Sequence, residues 1–333
     1  MFNVSVNQFL NRVSTNLSCL YKMENLQDTI ILRFNPTTIE DVRRNLNLDS
    51  KTIAQMLDSF QEWISKQNHF TMKNFSRPYL ESCIINAKGS LERAKTALDK
   101  LCTWKTLLPK YFEKHNFKED FMDTSNFIIH VTLPRLLKNN YRVYMVKLTS
   151  DLGAETQLNY ERAMILMNEY VKINDYRLGY VVVLDCRNSN LVQLVSKINI
   201  VELRDNLSIL MDGYACRISD IYIISSSKTV EVLTSLLKQL LSKKIAGRIN
   251  VVKTLEELYE YVPKDMMPKD YGGNEVTIME MYENWRSVLS TEENIEYLRT
   301  ICNARSDEKH RLIGQYNDQI LGIAGSFRTL SVD

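Results

Sequence analysis

The stretch TVEVLTSLLKQLLSKKIAGRINVV, residues 229–252, decides how the rest of the chain is read. Val230, Val232, Leu233, Leu236, Leu237, Leu240, Leu241 and Ile245 recur at a spacing that lays a wide apolar stripe along one helix. Its exit carries Lys243, Lys244 and Arg248 before the chain enters the β-branched run RINVV at 248–252. Such an element is either a core helix with a solvated end or a lid at a membrane surface. From Lys228 to Lys253 six cations face one acid, Glu231, a net of +5. A charge run of this kind is ordinarily a solvated face. Beside an apolar stripe it can also hold anionic headgroups while the stripe meets acyl chains.

Working outward, YRVYMVKLT at 141–149, GYVVVLD at 179–185 and ISDIYIIS at 218–225 are further runs of strand length and β-branched or aromatic character. Helical patterns at 155–173, 191–212 and 228–245 lie between them. This alternation predicts an α/β fold with a mainly parallel sheet and helices packed on it. The turns exclude the usual nucleotide-binding version: CRNSN follows residue 185 and SSKT follows 225, neither a GxGxxG nor a GxxxxGK[ST] loop. Past the last strand come a short helix at 254–262, a Pro- and Gly-rich exit at 263–277 and an amphipathic helix at 277–289. The tail from 290 is charged until GIAGSFRTLSVD.

The amino-terminal part is helical. Thr38 and Asp41 offer capping chemistry, and Ile53, Met56, Leu57, Phe60, Trp63 and Ile64 share one helical face. Helices at 78–87 and 91–104 follow, with Gly89 to end one and Ser90 to cap the next. The expected division is an extension at 1–30, disordered or amphipathic and with an alternative start at Met23; a helical domain at 31–115; an α/β domain at 116–275; and a carboxy-terminal helix and tail at 276–333.

Bulk properties narrow the function. A net charge of +2 on 333 residues argues against holding nucleic acid by overall charge. Six scattered cysteines without CxxC read as reduced thiols of a cytoplasmic protein. No stretch reaches the ~18 to 20 apolar residues that cross a bilayer, so membrane contact would be peripheral. His69, His115, His130 and His310 are too scattered to suggest a metal site, and no nucleophile elbow occurs. Asp185, at a strand end, is either a catalytic carboxylate or the cap of the next turn. The reading is therefore of a protein that is not an enzyme, with no catalytic residues, metal or cofactor.

The order of parts from about 30 to 290 resembles the CRAL-TRIO lipid-transfer family. The resemblance rests on AKGSLERAK at 87–95, on GYVVVLD at 179–185, and on KKIAGRINVV at 243–252 followed by LEELYEYVPKDMMPKDYGG at 255–273. GSFRTL at 325–330 also resembles the ending of arthropod members. The family implies a helical amino-terminal domain and an α/β domain whose sheet floors an apolar pocket. The helix that opens the stretch at 229 would be its gate, with Val230, Leu233, Leu236, Leu237, Leu240 and Leu241 toward the ligand. Members carry a hydrophobic small molecule such as a retinoid, carotenoid or tocopherol and exchange it at membranes. By position, Lys88, Arg217, Lys244 and Arg248 match basic residues that contact phosphoinositide headgroups in the family, whereas Ser219 stands where another cation is expected.

Other departures follow. Ser225 and Ser227 replace an Asn and a Pro before the gate, and Gln239 replaces a Pro within it, which predicts a straighter, more continuous helix. Asn188 replaces a glycine and can still adopt a left-handed turn, and Ile85 replaces an arginine. The resemblance thus implies a lipid carrier with an apolar ligand and an anionic membrane as partners. The alternative is an interaction protein whose pocket is filled by side chains, for which thirteen methionines are available. No motif speaks to the oligomeric state.

Overall fold

The computed structural model describes residues 26–149 and 154–311; most of the expected extension, the Met23 start and the closing GSFRTL lie outside the described residues. Four helices come first: α1 (Thr38–Asn45), α2 (Ser50–Ser65), α3 (Arg77–Asn86) and α4 (Leu91–Leu107). Asp49, Ser76 and Ser90 cap the last three, each accepting a backbone N–H. At α1 the expected Thr38 and Asp41 pairing does not form. Thr37 holds the cap position, and its hydroxyl donates to Asp41 at 2.7 Å instead of serving the backbone. Ile53, Leu57, Phe60 and Ile64 of α2 are buried. Ile85 of α3 packs with Val42, Tyr176 and Leu178, so the arginine position has become core.

A short α5 (Phe117–Asp120) leads into β1 (Ile128–Leu136), β2 (Tyr141–Leu148), α6 (Ala154–Asn174) and β3 (Gly179–Asp185). Then come α7 (Leu191–Lys197), α8 (Ile200–Ser208), β4 (Ile218–Ile224), α9 (Val230–Leu240), α10 (Lys243–Ala246), β5 (Ile249–Val252), α11 (Leu255–Tyr259), α12 (Ile278–Leu289) and α13 (Glu292–Cys302). The sheet runs in chain order, β1 antiparallel to β2 and the remaining pairs parallel. An α/β fold with a mainly parallel sheet is what the alternating pattern demands.

Several expectations need correction. β1 was not anticipated, because Pro134 and Arg135 interrupt its apolar run; an edge strand tolerates both. The pattern at 191–212 is two helices, since Ile198 is extended and Asn199 caps α8 by accepting from Val201 and Glu202, and a π-helical turn closes it at Ile209–Gly213. The charged tail folds into α13 behind a cap from Thr291. Finally, the stretch from 229 is not one continuous helix. α9 ends at Leu240, Leu241 is extended, and the Ser242 hydroxyl caps α10 by accepting from Ile245 N–H. A serine cap breaks the helix where no proline is present. Asn188 is also absent from the left-handed positions of the described residues, which outside glycine are Asn47, Lys88, Asn140 and Ala215.

Strand alternation divides the sheet into two faces. Val131, Leu133, Val143, Met145, Val181, Val183, Tyr222 and Ile224 join the main core with residues of α2, α3, α4, α6, α12 and α13. Buried ions tie the layers: Lys105 of α4 donates to Glu169 of α6 at 2.9 Å and to the Ile301 carbonyl of α13 at 2.7 Å, and Tyr214 also donates to Glu169. Two glycines in the exit have steric reasons. Gly272 is left-handed at φ 74°, and a Cβ on Gly273 would lie 1.9 Å from the Met267 carbonyl oxygen. That turn seats Tyr271, whose hydroxyl donates to Asp185 at 2.5 Å.

Candidate functional site

The second sheet face borders a cavity of about 250 Å³. Tyr144, Val146 and Leu148 of β2 and Tyr180, Val182 and Leu184 of β3 floor it. Leu233 and Leu237 of α9 and Leu241 just beyond form a roof stripe at i, i+4 and i+8. Val230, Leu236 and Leu240 do not line it: Val230 and Leu236 are buried, Val230 in the same apolar cluster as the roof residues Leu233 and Leu241, and Leu240 is half-buried. Met164, Met167 and Met211 stand in the wall rather than filling the space. An apolar molecule that fills it removes its own surface and that of the lining from water, at ~25 cal/mol per Å².

The polar residues of the wall are few and come largely from one helix. Gln157, Glu161, Met164 and Asn168 recur on α6 at i, i+4, i+7 and i+11, and all four line the cavity. Gln157 Nε2 donates to Glu161 Oε1 at 2.9 Å and to the Asn199 carbonyl at 3.1 Å, while Asn199 N–H donates to Gln157 Oε1 at 2.9 Å. This bridge fixes α6 against the start of α8. Asn168 Oδ1 accepts from the Tyr180 hydroxyl at 3.3 Å. Burial pushes the Glu161 carboxyl up to about 7; Gln157 and Lys110 oppose the shift, and Glu202 and Asp205 add to it. The sequence reading passed over these residues. Their signal was the polar spacing on a helix otherwise rich in buried apolar side chains.

Behind the wall, His130 is fully buried, and burial lowers its pKa to about 3. Tyr144 donates to Tyr160 at 3.4 Å, so the neutral imidazole donates from Nδ1 to the Tyr144 oxygen at 3.1 Å. A histidine with a depressed folded-state pKa supplies stability above its unfolded value and loses it as the pH falls toward the folded one. Unfolding free energy is therefore expected to drop between about pH 6.5 and 3 by an amount that His130→Phe removes. Urea unfolding across that range checks this; parallel pH profiles for the two proteins would contradict it.

Of the four expected cations, Arg217, Lys244 and Arg248 lie within electrostatic reach of Lys88. The charge of Lys244, then burial, then Arg217, Arg93 and Arg248 hold the Lys88 ammonium below the usual lysine range. Lys88 is exposed at a left-handed position between α3 and α4, and Lys244 is exposed on α10. Arg217 and Arg248 are half-buried; Arg217 donates to the Tyr141 hydroxyl at 3.2 Å and Arg248 to the Ile218 carbonyl. Arg93 was not singled out from sequence. The Ser219 hydroxyl is turned to the Tyr180 carbonyl at 3.4 Å.

Asp185 is structurally engaged. Arg187 holds it with bonds of 2.9 and 2.8 Å and Tyr271 with one of 2.5 Å. Burial works against its charge, but bonds from Arg187 and Tyr271 more than offset this and keep its carboxyl below the usual range. Among the described residues, no group of three or more His, Cys, Asp or Glu side chains could hold a metal ion, and no helix is long and apolar enough to cross a membrane.

Comparison with known proteins places this geometry. Residues 125–273 match the family model described as the CRAL/TRIO domain. Over 98 residues, 29% of this chain, it is 29% identical to the alpha-tocopherol transfer protein-like protein of Mus musculus, covering 27% of that protein. The Homo sapiens protein of the same name is 28% identical over 98 residues, 28% of its length. The match thus spans little more than a quarter of these curated relatives. Among solved structures, the crystal structure of Sfh5 aligns with 90% of this chain and 98% of its own at TM-score 0.45 and 14% identity, too loose a likeness to bear on the site.

Proposed function

We propose that this chain, whose residues 125–273 match the CRAL/TRIO domain, is a CRAL-TRIO protein that binds a hydrophobic small molecule beneath α9 and transfers it at anionic membranes. The observation that carries the reading is the apolar cavity between sheet and α9. Retinoids, carotenoids, tocopherols and similar lipids are the candidate class, each buried CH₂ contributing ~0.8 kcal/mol. A cavity lined by methionines, rather than filled by them, favours a carrier over an interaction protein with a closed core. No catalytic step is needed, and Asp185 is spent on holding the turn at Tyr271.

Docking is the second half of the proposal. Lys88, Arg217, Lys244 and Arg248 would meet anionic headgroups, phosphoinositides among them, from a cytoplasmic, peripherally bound position. Exposed Val192, Ile200, Val201 and Val232 sit on α7, α8 and α9, the elements that wall the cavity.

Two measurements test carriage. Mass spectrometry of an organic extract of the purified protein is expected to show a reproducible lipid, and uptake of a radiolabelled lipid from vesicles is expected to fall at least about tenfold in Leu237→Trp, which fills the roof of the cavity. Leu237 is half-buried, so the larger ring leaves the fold intact. An empty protein that takes up no lipid, or equal uptake by the variant, would sink the reading.

A further inference from the structure

Three buried residues of the cavity wall carry a polar side-chain atom without a partner among the described residues: Glu161, Asn206 and, on β1, Thr132. Glu161 is 1% exposed and Asn206 is 1% exposed, and both line the cavity. Glu161 Oε1 takes the Gln157 bond, but Glu161 Oε2 and Asn206 Nδ2 have no hydrogen-bond partner among the described residues. Unmade bonds at buried polar atoms are costly in native proteins, so three of them on residues that line one apolar cavity point to what the cavity receives. The rest of the α6 wall is satisfied or apolar: Asn168 is engaged by Tyr180, and Gln157 by Asn199.

We propose that Glu161 and Asn206 form a polar subsite that receives the hydroxyl of a lipid alcohol, the hydroxyl donating to Glu161 Oε2 and accepting from Asn206 Nδ2. This rests on the carrier reading and names the ligand class within it. The chemistry discriminates among headgroups. A hydroxyl is both donor and acceptor, so it pairs with Glu161 whether the carboxyl is protonated or ionised. A ketone or aldehyde offers nothing to an ionised Glu161. A carboxylate meets Glu161 beside Glu202 and Asp205, which already act on it electrostatically. An ammonium leaves Nδ2 without an acceptor, and an alkane leaves both atoms unpaired.

The test compares radiolabelled 1-hexadecanol, hexadecane and hexadecanoic acid as probes of equal chain length, bound to the full chain at pH 8. Wild type is expected to hold the alcohol at least about tenfold more tightly than the alkane or the acid, the scale of one buried hydrogen bond to a charged group. Glu161→Met and Asn206→Leu are each expected to lose most of that preference while binding hexadecane as wild type does, which also shows that they fold. Equal affinity of wild type for alcohol and alkane, or an alcohol preference that survives both substitutions, overturns the subsite while leaving carriage standing. Failure of wild type to bind any of the three chains overturns carriage and the subsite together.

Discussion

Replacing Arg142 by methionine is expected to lower the unfolding free energy by about 3–5 kcal/mol, the range for removing one member of a buried ion pair. Arg142 and Asp175 are both fully buried. The guanidinium donates to Asp175 from Nε at 3.0 Å and again from Nη2, and to the carbonyls of Leu133 and Pro134 from Nη1. It also lies over the Phe34 ring at 5.4 Å. One side chain on β2 therefore joins the edge strand, the end of α6 and the segment before α1. Methionine keeps much of the volume but strands the Asp175 carboxylate, leaving it Arg177 at 3.7 Å. The paired change Arg142→Met with Asp175→Asn is expected to be milder than Arg142→Met alone, because it removes the orphaned charge. Urea midpoints at constant slope measure both; a single variant within about 1 kcal/mol of wild type would contradict the account.

Reversing Lys244 and Arg248 to glutamate is expected to weaken binding to anionic liposomes by at least about thirtyfold, since each cation near such a surface counts for about fivefold and each added anion is repelled. Lys244 is exposed and acts on Lys88 more strongly than any other charge, so its reversal also breaks up the cluster. Arg248 additionally donates to the Ile218 carbonyl, so Lys244→Glu alone separates charge from local stability. Wild-type binding is expected to fall with added salt, and the double variant to be nearly insensitive to it. Unchanged sedimentation of the double variant with vesicles containing phosphatidylserine or phosphoinositide would rule out docking through this cluster.

Much of the fold was legible in the sequence because its sheet is written in short β-branched runs. GYVVVLD forms β3 over its full length, and the runs at 141, 218 and 248 give strands within a residue or two of those limits. β1 was hidden by Pro134 and by the polar His130 and Thr132, which local pattern reads as irregular chain and only a neighbouring strand makes regular. α13 was hidden by its charges, because Leu298, Ile301 and Cys302 make a narrow buried stripe on an otherwise polar helix. The roof stripe was half legible. Periodicity selects Leu233, Leu237 and Leu241 together with Leu236 and Leu240, and only the position of the sheet decides which of them face the cavity. Glu161 and Asn206 were not legible as a pair, being 45 positions apart on two helices that meet only in the folded chain.

The two-residue break after α9 has a mechanical consequence. A continuous helix is a stiff rod, and a pull on its basic end would be felt along its whole length. Here the hydrogen-bonded ladder ends with the bond from Leu241 N–H to the Leu237 carbonyl, and Leu241, otherwise extended, sets its side chain in the cavity wall two positions before Lys243. Tension applied at Lys243 and Lys244 reaches Leu241 first, through a pivot rather than a beam. Under the docking proposed above, the first part of the roof expected to yield is the single Leu241, ahead of the contact between α9 and α7.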